Sequence, residues 1–210
     1  HQCVAWLEAT TPSADFIAAA TRTGAIANPL RTLPSRPVQT LSVRGEIGVA
    51  PGAGWTFAQQ QNFLTNGGAL AARGEAGLQV VRCVTTYRLN RYSQEDAAYL
   101  DVETLYTLAA ITRRVRRDIS TKFARAILAD DGTRFASGLP VVTPKIMKSE
   151  LVAIYQDLEF LGLVENAGAF ADATIVERNP NDPSRMDVLY APTLVGGLRI
   201  FALLNQFRLQ

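Results

Sequence analysis

Four arginines within five positions, Arg113, Arg114, Arg116 and Arg117 in the stretch ITRRVRRDISTKF at 111–123, are the densest set of chemically active side chains in this sequence. Guanidinium groups crowded in this way either neutralise phosphates or meet carboxylates on another protein surface. The formal charge of +2, from 21 basic and 19 acidic residues, is too balanced to give the whole chain a field that holds nucleic acid, so any basic site is local. On a helix advancing about 100° per residue, Leu105, Leu108, Thr112, Val115, Ile119, Phe123 and Ala126 share one side. Arg113, Arg114 and Arg117 then fall on the opposite side, with Arg116 flanking the apolar stripe. A DNA-reading helix also needs a helix-turn-helix partner or basic clusters interleaved with stacking aromatics, and the sequence offers neither. The run therefore reads as a solvated face or a protein–protein contact, with a nucleic-acid-binding α/β protein as the alternative.

Other candidates for chemistry are weaker. VRGEIGVAPGAGW sets Gly45, Gly48, Gly52 and Gly54 between a strand-like and a helix-like run, where phosphate loops occur. The spacing lacks the third glycine of the dinucleotide fingerprint and no Gly-Lys-Ser/Thr follows, so it reads as a flexible connection and no cofactor is expected. A serine triad needs an oriented histidine, and the single one is His1. Asp130 and Asp131 in ADDG suit a helix end on a loop. Cys3 and Cys83 lie far apart in apolar stretches and read as small buried hydrophobes; no zinc spacing is present. These residues do not argue for an enzyme.

The elements that position these groups follow from pattern. CVAWLEA reads as a strand, ADFIAAATRTG as a helix ending at Gly24, and VQTLSV at 38–43 as a half-buried strand. Thr56 and Gln59 form a capping box for a helix closed by Gly67, and LQVVRCVTTY at 78–87 is strand-like. That order predicts an α/β layer with a largely parallel sheet over residues 1–97. Residues 98–210 predict an α+β module of two long helices and a small sheet. The first helix is capped by Asp101 and runs from Val102 to Ala129. The second has Thr143 as cap, Pro144 as its first residue and Gly162 as terminator, with an apolar stripe of Met147, Leu151, Ile154, Tyr155, Leu158 and Leu161. TIVERN and RMDVLY form a pair of strands around the turn NPNDPS, and LRIFALLNQFRL forms a third. Both faces of that last run are apolar, Leu198, Ile200, Ala202 and Leu204 on one and Phe201, Leu203, Phe207 and Leu209 on the other, so it expects cover on both sides from its own sheet or a neighbour's edge.

No run approaches the roughly 20 apolar residues of a membrane span, and no signal peptide opens the sequence, so the chain reads as soluble and intracellular, with no membrane partner. A start without methionine, inside a strand-like run, reads as a fragment of a longer protein.

Five collinear stretches, AYLDVETLYTLAAITRRVRRDI, DDGTRF, VVTPKIMKSELVAIYQDLEFLGLVE, VERNPNDPSRMDV and LRIFALLNQFRL, resemble the C-terminal part of the tail sheath proteins of Mu-like contractile-tailed phages and prophages. RPVQTL, GWTFAQQQNFLTNG and VTTYRLN resemble the preceding part, with the order Trp55-Thr56-Phe57 in place of the family's. The resemblance implies a structural subunit that stacks in six-fold rings around a tail tube and contracts to drive it through the host envelope. It implies that residues 1–97 are part of a subtilisin-like, non-catalytic α/β domain. Its implied partners are other sheath subunits, the tail tube, baseplate and tail-terminator proteins, in the virion after assembly in the host cytoplasm. The strand-donating role falls on Leu198–Leu209 and a tube-facing role on Glu165, Asn166, Phe170 and Asp172, while Arg113, Arg114 and Arg117 are expected to lie between subunits.

Overall fold

The computed structural model describes residues 2–8, 10–74, 77–202 and 204. These fall into two units, one within His1–Glu103 and Gly196–Gln210, the other Thr104–Val195. The described residues hold five helices and several small sheets, a mixed α/β chain.

In the first unit, β1 (Val4–Ala5) lies parallel to β2 (Gly68–Gly74), which pairs antiparallel with β3 (Gly77–Arg82). The expected largely parallel sheet is therefore mixed. Its middle strand, GALAARG, escapes a propensity reading because alanine and glycine are poor strand formers. Burial decides it: Ala69 and Ala71 join Leu30, Val38, Val80 and Val102 in one cluster, and Leu70 joins Leu64 and Val84 in another, so β2 is covered on both faces. Gly68 is required by Trp6, whose Cδ1 would lie 2.3 Å from any Cβ at that position.

α1 (Asp15–Thr32) runs through Gly24, the expected terminator, and through Pro29. Burial of Ala18, Arg22 and Leu30 along the helix outweighs the ~1 kcal/mol that an interior glycine costs. VQTLSV is not a strand. Thr40 N–H donates to Val80 O at 2.8 Å and Val43 N–H to Leu78 O at 2.9 Å, but Thr40 itself takes φ 66° and interrupts the ladder. α2 (Phe57–Thr65) has the expected capping box: Gln59 N–H donates to Thr56 Oγ1 at 3.3 Å, and Thr56 N–H to Gln59 Oε1 at 2.9 Å. The glycine-rich connection before it is tied down by a bidentate pair. Arg22 Nε and Nη2 donate to Glu46 at 2.9 and 2.6 Å, and Arg22 Nη1 donates to Trp6 O at 2.9 Å.

α3 (Val102–Lys122) stops short of Ala129, because Arg125 takes φ 59° and the chain turns into β4 (Ile127–Leu128), parallel to β5 (Val141–Val142). Asp101, which precedes the helix, has its carboxylate held by Arg82 Nε and Nη2 at 2.8 and 3.0 Å. α4 (Pro144–Phe160) begins as its sequence dictates, with Ile146 N–H donating to Thr143 Oγ1 at 3.4 Å and Pro144 in the first turn, and Gly162 follows it at φ 70°. Met147, Leu151, Ile154, Tyr155 and Leu158 are buried, whereas Leu161 lies outside the stripe and is exposed.

β6 (Val164–Glu165), α5 (Ala167–Ala173), β7 (Ile175–Arg178), β8 (Met186–Leu189) and β9 (Thr193–Leu194) complete the second unit. β7 and β8 form the expected antiparallel pair, their turn fixed by Asn179 Oδ1 accepting from Asn181 N–H at 2.8 Å and Asp182 N–H at 3.0 Å. The third strand is a correction. β9 pairs with β6, not with the hairpin, and the described part of LRIFALLNQFRL, residues 198–202 and 204, carries no strand. Leu203, Phe207 and Leu209 lie outside the described residues.

Candidate functional site

The arginine helix packs along a line different from the one its apolar spacing suggests. Ile111 and Thr107 are buried, and Ile111 meets Ile154 and Leu158 of α4, while Val115 and Ile119 are only partly covered. Thr112, assigned to the apolar side, is exposed. The buried arc is thus rotated towards Ile111, and this turns Arg114 towards α4 while Arg113, Arg116 and Arg117 remain exposed.

Arg114 is therefore not an opposite-face residue. Its guanidinium bonds Asp118, one turn on in α3, and its Nη2 donates to Asp157 Oδ2 of α4 at 3.2 Å. Arg117 Nε donates to Asp118 Oδ1 at 2.9 Å, and Lys122 bonds Glu150. Arg117, Asp118, Lys122, Glu150 and Asp157 edge a cleft of about 510 Å³ between α3 and α4. The Arg114 guanidinium, with Arg117 beyond it, holds the Asp118 carboxyl below the usual carboxylate range. Three cations, Arg114, Arg117 and Lys122, thus stand against three carboxylates, Asp118, Asp157 and Glu150. Such a balanced seam is a poor phosphate grip, since every phosphate must displace a carboxylate already in place. It suits a surface on which charged partners are exchanged. The spacing Arg114–Asp118 is an i,i+4 pair and is readable from sequence; Asp157 and Glu150 are not, because only the packing of α4 brings them in.

On its other side α3 borders an apolar groove of about 750 Å³, lined by Val115, Ile119, Met147, Leu151, Met186 and Val188. Tyr190 closes it, its hydroxyl pushed up to about 12 by burial. Sequence reading did not identify this groove, although Met186, Val188 and Tyr190 alternate along RMDVLY and so share one face.

The residues expected to face a tube divide. Glu165, Asn166 and Asp172 are exposed around α5, with Asn166 in the left-handed region at φ 63° and Ala167 N–H donating to Glu159 Oε1 at 3.0 Å. Phe170 is a correction: it is 4% exposed and its ring stacks on Tyr155 at 3.8 Å, so it holds α5 to α4 and has no surface to offer a partner. Tyr155 finishes this core by donating its hydroxyl to Glu165 O at 2.8 Å and accepting Thr193 N–H at 3.1 Å.

The described part of the closing segment is bare. Leu198, Ile200, Phe201 and Leu204 are 76 to 83% exposed, and the segment is held to the first unit by Arg199, whose Nη2 lies 3.3 Å from Asp101 and 3.2 Å from Glu103. The bridging guanidinium fixes the start of the run and leaves its apolar side chains without cover among the described residues.

The chain is 37% identical over 197 residues, 93% of its length, to the Mu-like prophage FluMu tail sheath protein of Haemophilus influenzae (strain ATCC 51907 / DSM 11121 / KW20 / Rd), and spans 40% of that relative's length. Its fold is similar to the sheath tail protein of Desulfitobacterium hafniense, with a TM-score of 0.50 and 15% identity over 77% of this chain and 37% of that one. It is also similar to a chain of the six-fold symmetrised anti-feeding prophage baseplate, with a TM-score of 0.54 and 13% identity over 84% of this chain and 46% of that one. Residues 94–208 match the model of the phage tail sheath C-terminal domain, and the chain belongs to that family.

Proposed function

We propose that this chain is part of a structural subunit of a contractile phage tail sheath, which polymerises in six-fold rings around the tail tube and contracts to drive it through the host envelope. The observation that carries this reading is the collinear likeness of 93% of the chain to a prophage tail sheath protein. The role is mechanical, not catalytic. Residues 98–210 are the C-terminal sheath domain, supported by a family match that starts at residue 94. Residues 1–97 belong to a partial, subtilisin-like α/β domain, as the resemblance to the family implies.

The surfaces divide the work. Arg113, Arg114 and Arg117 exchange carboxylate partners between subunits, each exposed pair contributing about 0–1 kcal/mol, so that many copies act together and no apolar surface is unpaired as the lattice slides. The bare run around Leu198, Ile200 and Phe201 adds to a neighbouring subunit's sheet edge, which explains why so much apolar surface stands open. Glu165, Asn166 and Asp172 face the tube. Baseplate and tail-terminator proteins bound the sheath at its ends, in the virion and during assembly in the host cytoplasm.

Electron microscopy of the intact subunit expressed alone tests this directly. Hollow six-fold tubes are the expected product, and replacing Arg113, Arg114 and Arg117 together by alanine should impair their assembly. Dispersed particles at every protein and salt concentration would overturn the sheath reading; normal tubes and contraction in the triple variant would remove the arginines from it.

A further inference from the structure

The second unit carries an apolar groove and an exposed aromatic ring to which no role has been given. The groove beside α3 holds about 750 Å³, within the roughly 300–1,000 Å³ of cavities that take up apolar groups. Both methionines of the sequence, Met147 and Met186, line it together with Val188 and Tyr190. Thioether side chains adapt to a ring laid against them, and methionine, tyrosine and arginine are residue types that protein interfaces gather. Arg116 and Arg117 line the same groove and are exposed. Arg117 shares Asp118, whereas Arg116 has no ion pair among the described residues. The groove therefore calls for an apolar group accompanied by negative charge.

The end of α4 offers both. Phe160 is 93% exposed, more than any other large apolar side chain among the described residues, and Leu161 beside it is exposed as well. Glu159 precedes them, anchored by accepting the Ala167 N–H on Oε1. Between Lys148 and Arg178 the sequence holds six acidic residues and no basic one, opposite in sign to the arginine-rich α3. The closing run LRIFALLNQFRLQ fits less well: it is apolar, but its two arginines and lack of acidic residues would bring like charge to Arg116 and Arg117. Met147 and Phe160 sit near opposite ends of α4, about 20 Å apart at 1.5 Å per residue, so the helix holds the ring away from its own groove. We propose that the groove receives Phe160 and Leu161 of a second copy of this chain, with Glu159 of that copy set against Arg116. The inference rests on the reading that copies assemble as a sheath. Because ring and groove are different patches, each copy fills one neighbour and is filled by another, a head-to-tail contact that builds rings and helical stacks in place of a closed dimer. The contact gives the lattice an apolar anchor about which the exposed arginine pairs change partners.

The test puts the photoreactive residue benzoylphenylalanine in place of Phe160 in the intact subunit and irradiates it in a mixture with isotope-labelled unaltered chain. The expected product joins position 160 of the substituted copy to a labelled peptide carrying Met147 or Met186, and appears as a ladder of species beyond the dimer. Phe160→Ala removes a side chain that stands in solvent, so the melting midpoint of the dispersed subunit should not move, while the concentration at which tubes appear should rise about tenfold or more, as for a central interface anchor. Arg116→Ala should raise it about two- to fivefold, the scale of one exposed ion pair. Links that land on residues 198–210 of a neighbour, links only to the tube protein when it is added, or tubes of Phe160→Ala at the unaltered concentration would each overturn the proposal while the tubes themselves uphold the sheath reading. An unaltered chain that stays dispersed, with position 160 linked to nothing, would overturn both.

Discussion

Two sets of ion pairs in this chain use the same chemistry under different conditions. In the first unit, Arg22 and Glu46 have side chains 9% and 0% exposed and meet in a bidentate pair, and Arg22 Nη1 also donates to Trp6 O. In the second, Arg114 is shared between Asp118 and Asp157, with every member in contact with solvent. A buried pair is held by what happens when it breaks, since the survivor is a charge with no water around it. An exposed pair loses little on breaking because water replaces the partner. The first is therefore a fastener for α1 and the glycine-rich connection. Only the second can serve a surface whose partners change.

The comparison breaks most visibly at Glu46. Glu46→Ala leaves Arg22 buried and uncompensated and should destabilise the first unit by about 3–5 kcal/mol in urea unfolding. Replacing both residues, Arg22→Met with Glu46→Leu, should recover most of that loss, because the penalty lies in the orphaned charge. If Glu46→Ala alone unfolds like the unaltered protein, the pair is not the fastener described.

An intermediate effect is expected where a buried polar group is neutral. The Tyr155 hydroxyl joins β6 and β9 by accepting from Thr193 N–H and donating to Glu165 O. Tyr155→Phe keeps the stack on Phe170 and removes only those bonds, a loss of about 1–2 kcal/mol. Amide exchange at Thr193 should quicken in the variant, while exchange at Val80, in the first unit, should not change; equal acceleration at both would show general loosening instead.

How far the sequence discloses this arrangement depends on whether a signal is local. Caps are local: Thr56 with Gln59, and Thr143 with Pro144, start helices where the residues say they should. The β7–β8 turn is local too. What sequence reading misses is decided by distant partners. GALAARG becomes the central strand only because two clusters cover it, VQTLSV is interrupted by Thr40, and Gly24 is overridden by the burial of α1. The candidate surfaces follow the same rule. The arginine run and the apolar closing segment are visible as composition, whereas the rotation of α3 about Ile111 comes from α4 and converts an arginine stripe into a seam of matched charges. Phe170 marks the limit of a role carried over by resemblance: the likeness assigns the role to the stretch from Glu165 to Asp172, whereas packing on Tyr155 decides which of its side chains turn inwards.

The smallest expected effect is also the sharpest test of the exchange idea. A double-mutant cycle of Arg114→Ala and Asp118→Ala should yield a coupling of about 0.3–0.5 kcal/mol, the usual scale for an i,i+4 pair. Because Arg114 and Arg117 depress the Asp118 pKa in the folded chain, the stability from this carboxylate is present above its unfolded value of about 3.9 and is lost as the pH falls through the lower folded value. The coupling should therefore persist at neutral pH, fade as acid protonates Asp118, and shrink in 1 M salt, where the screening length is about 3 Å. The bidentate Arg22–Glu46 pair, shielded from that salt, should keep its effect. A coupling at Arg114 that ignores salt would place the seam with the fastener, and a surface that cannot be loosened by ions is not one across which neighbouring subunits slide.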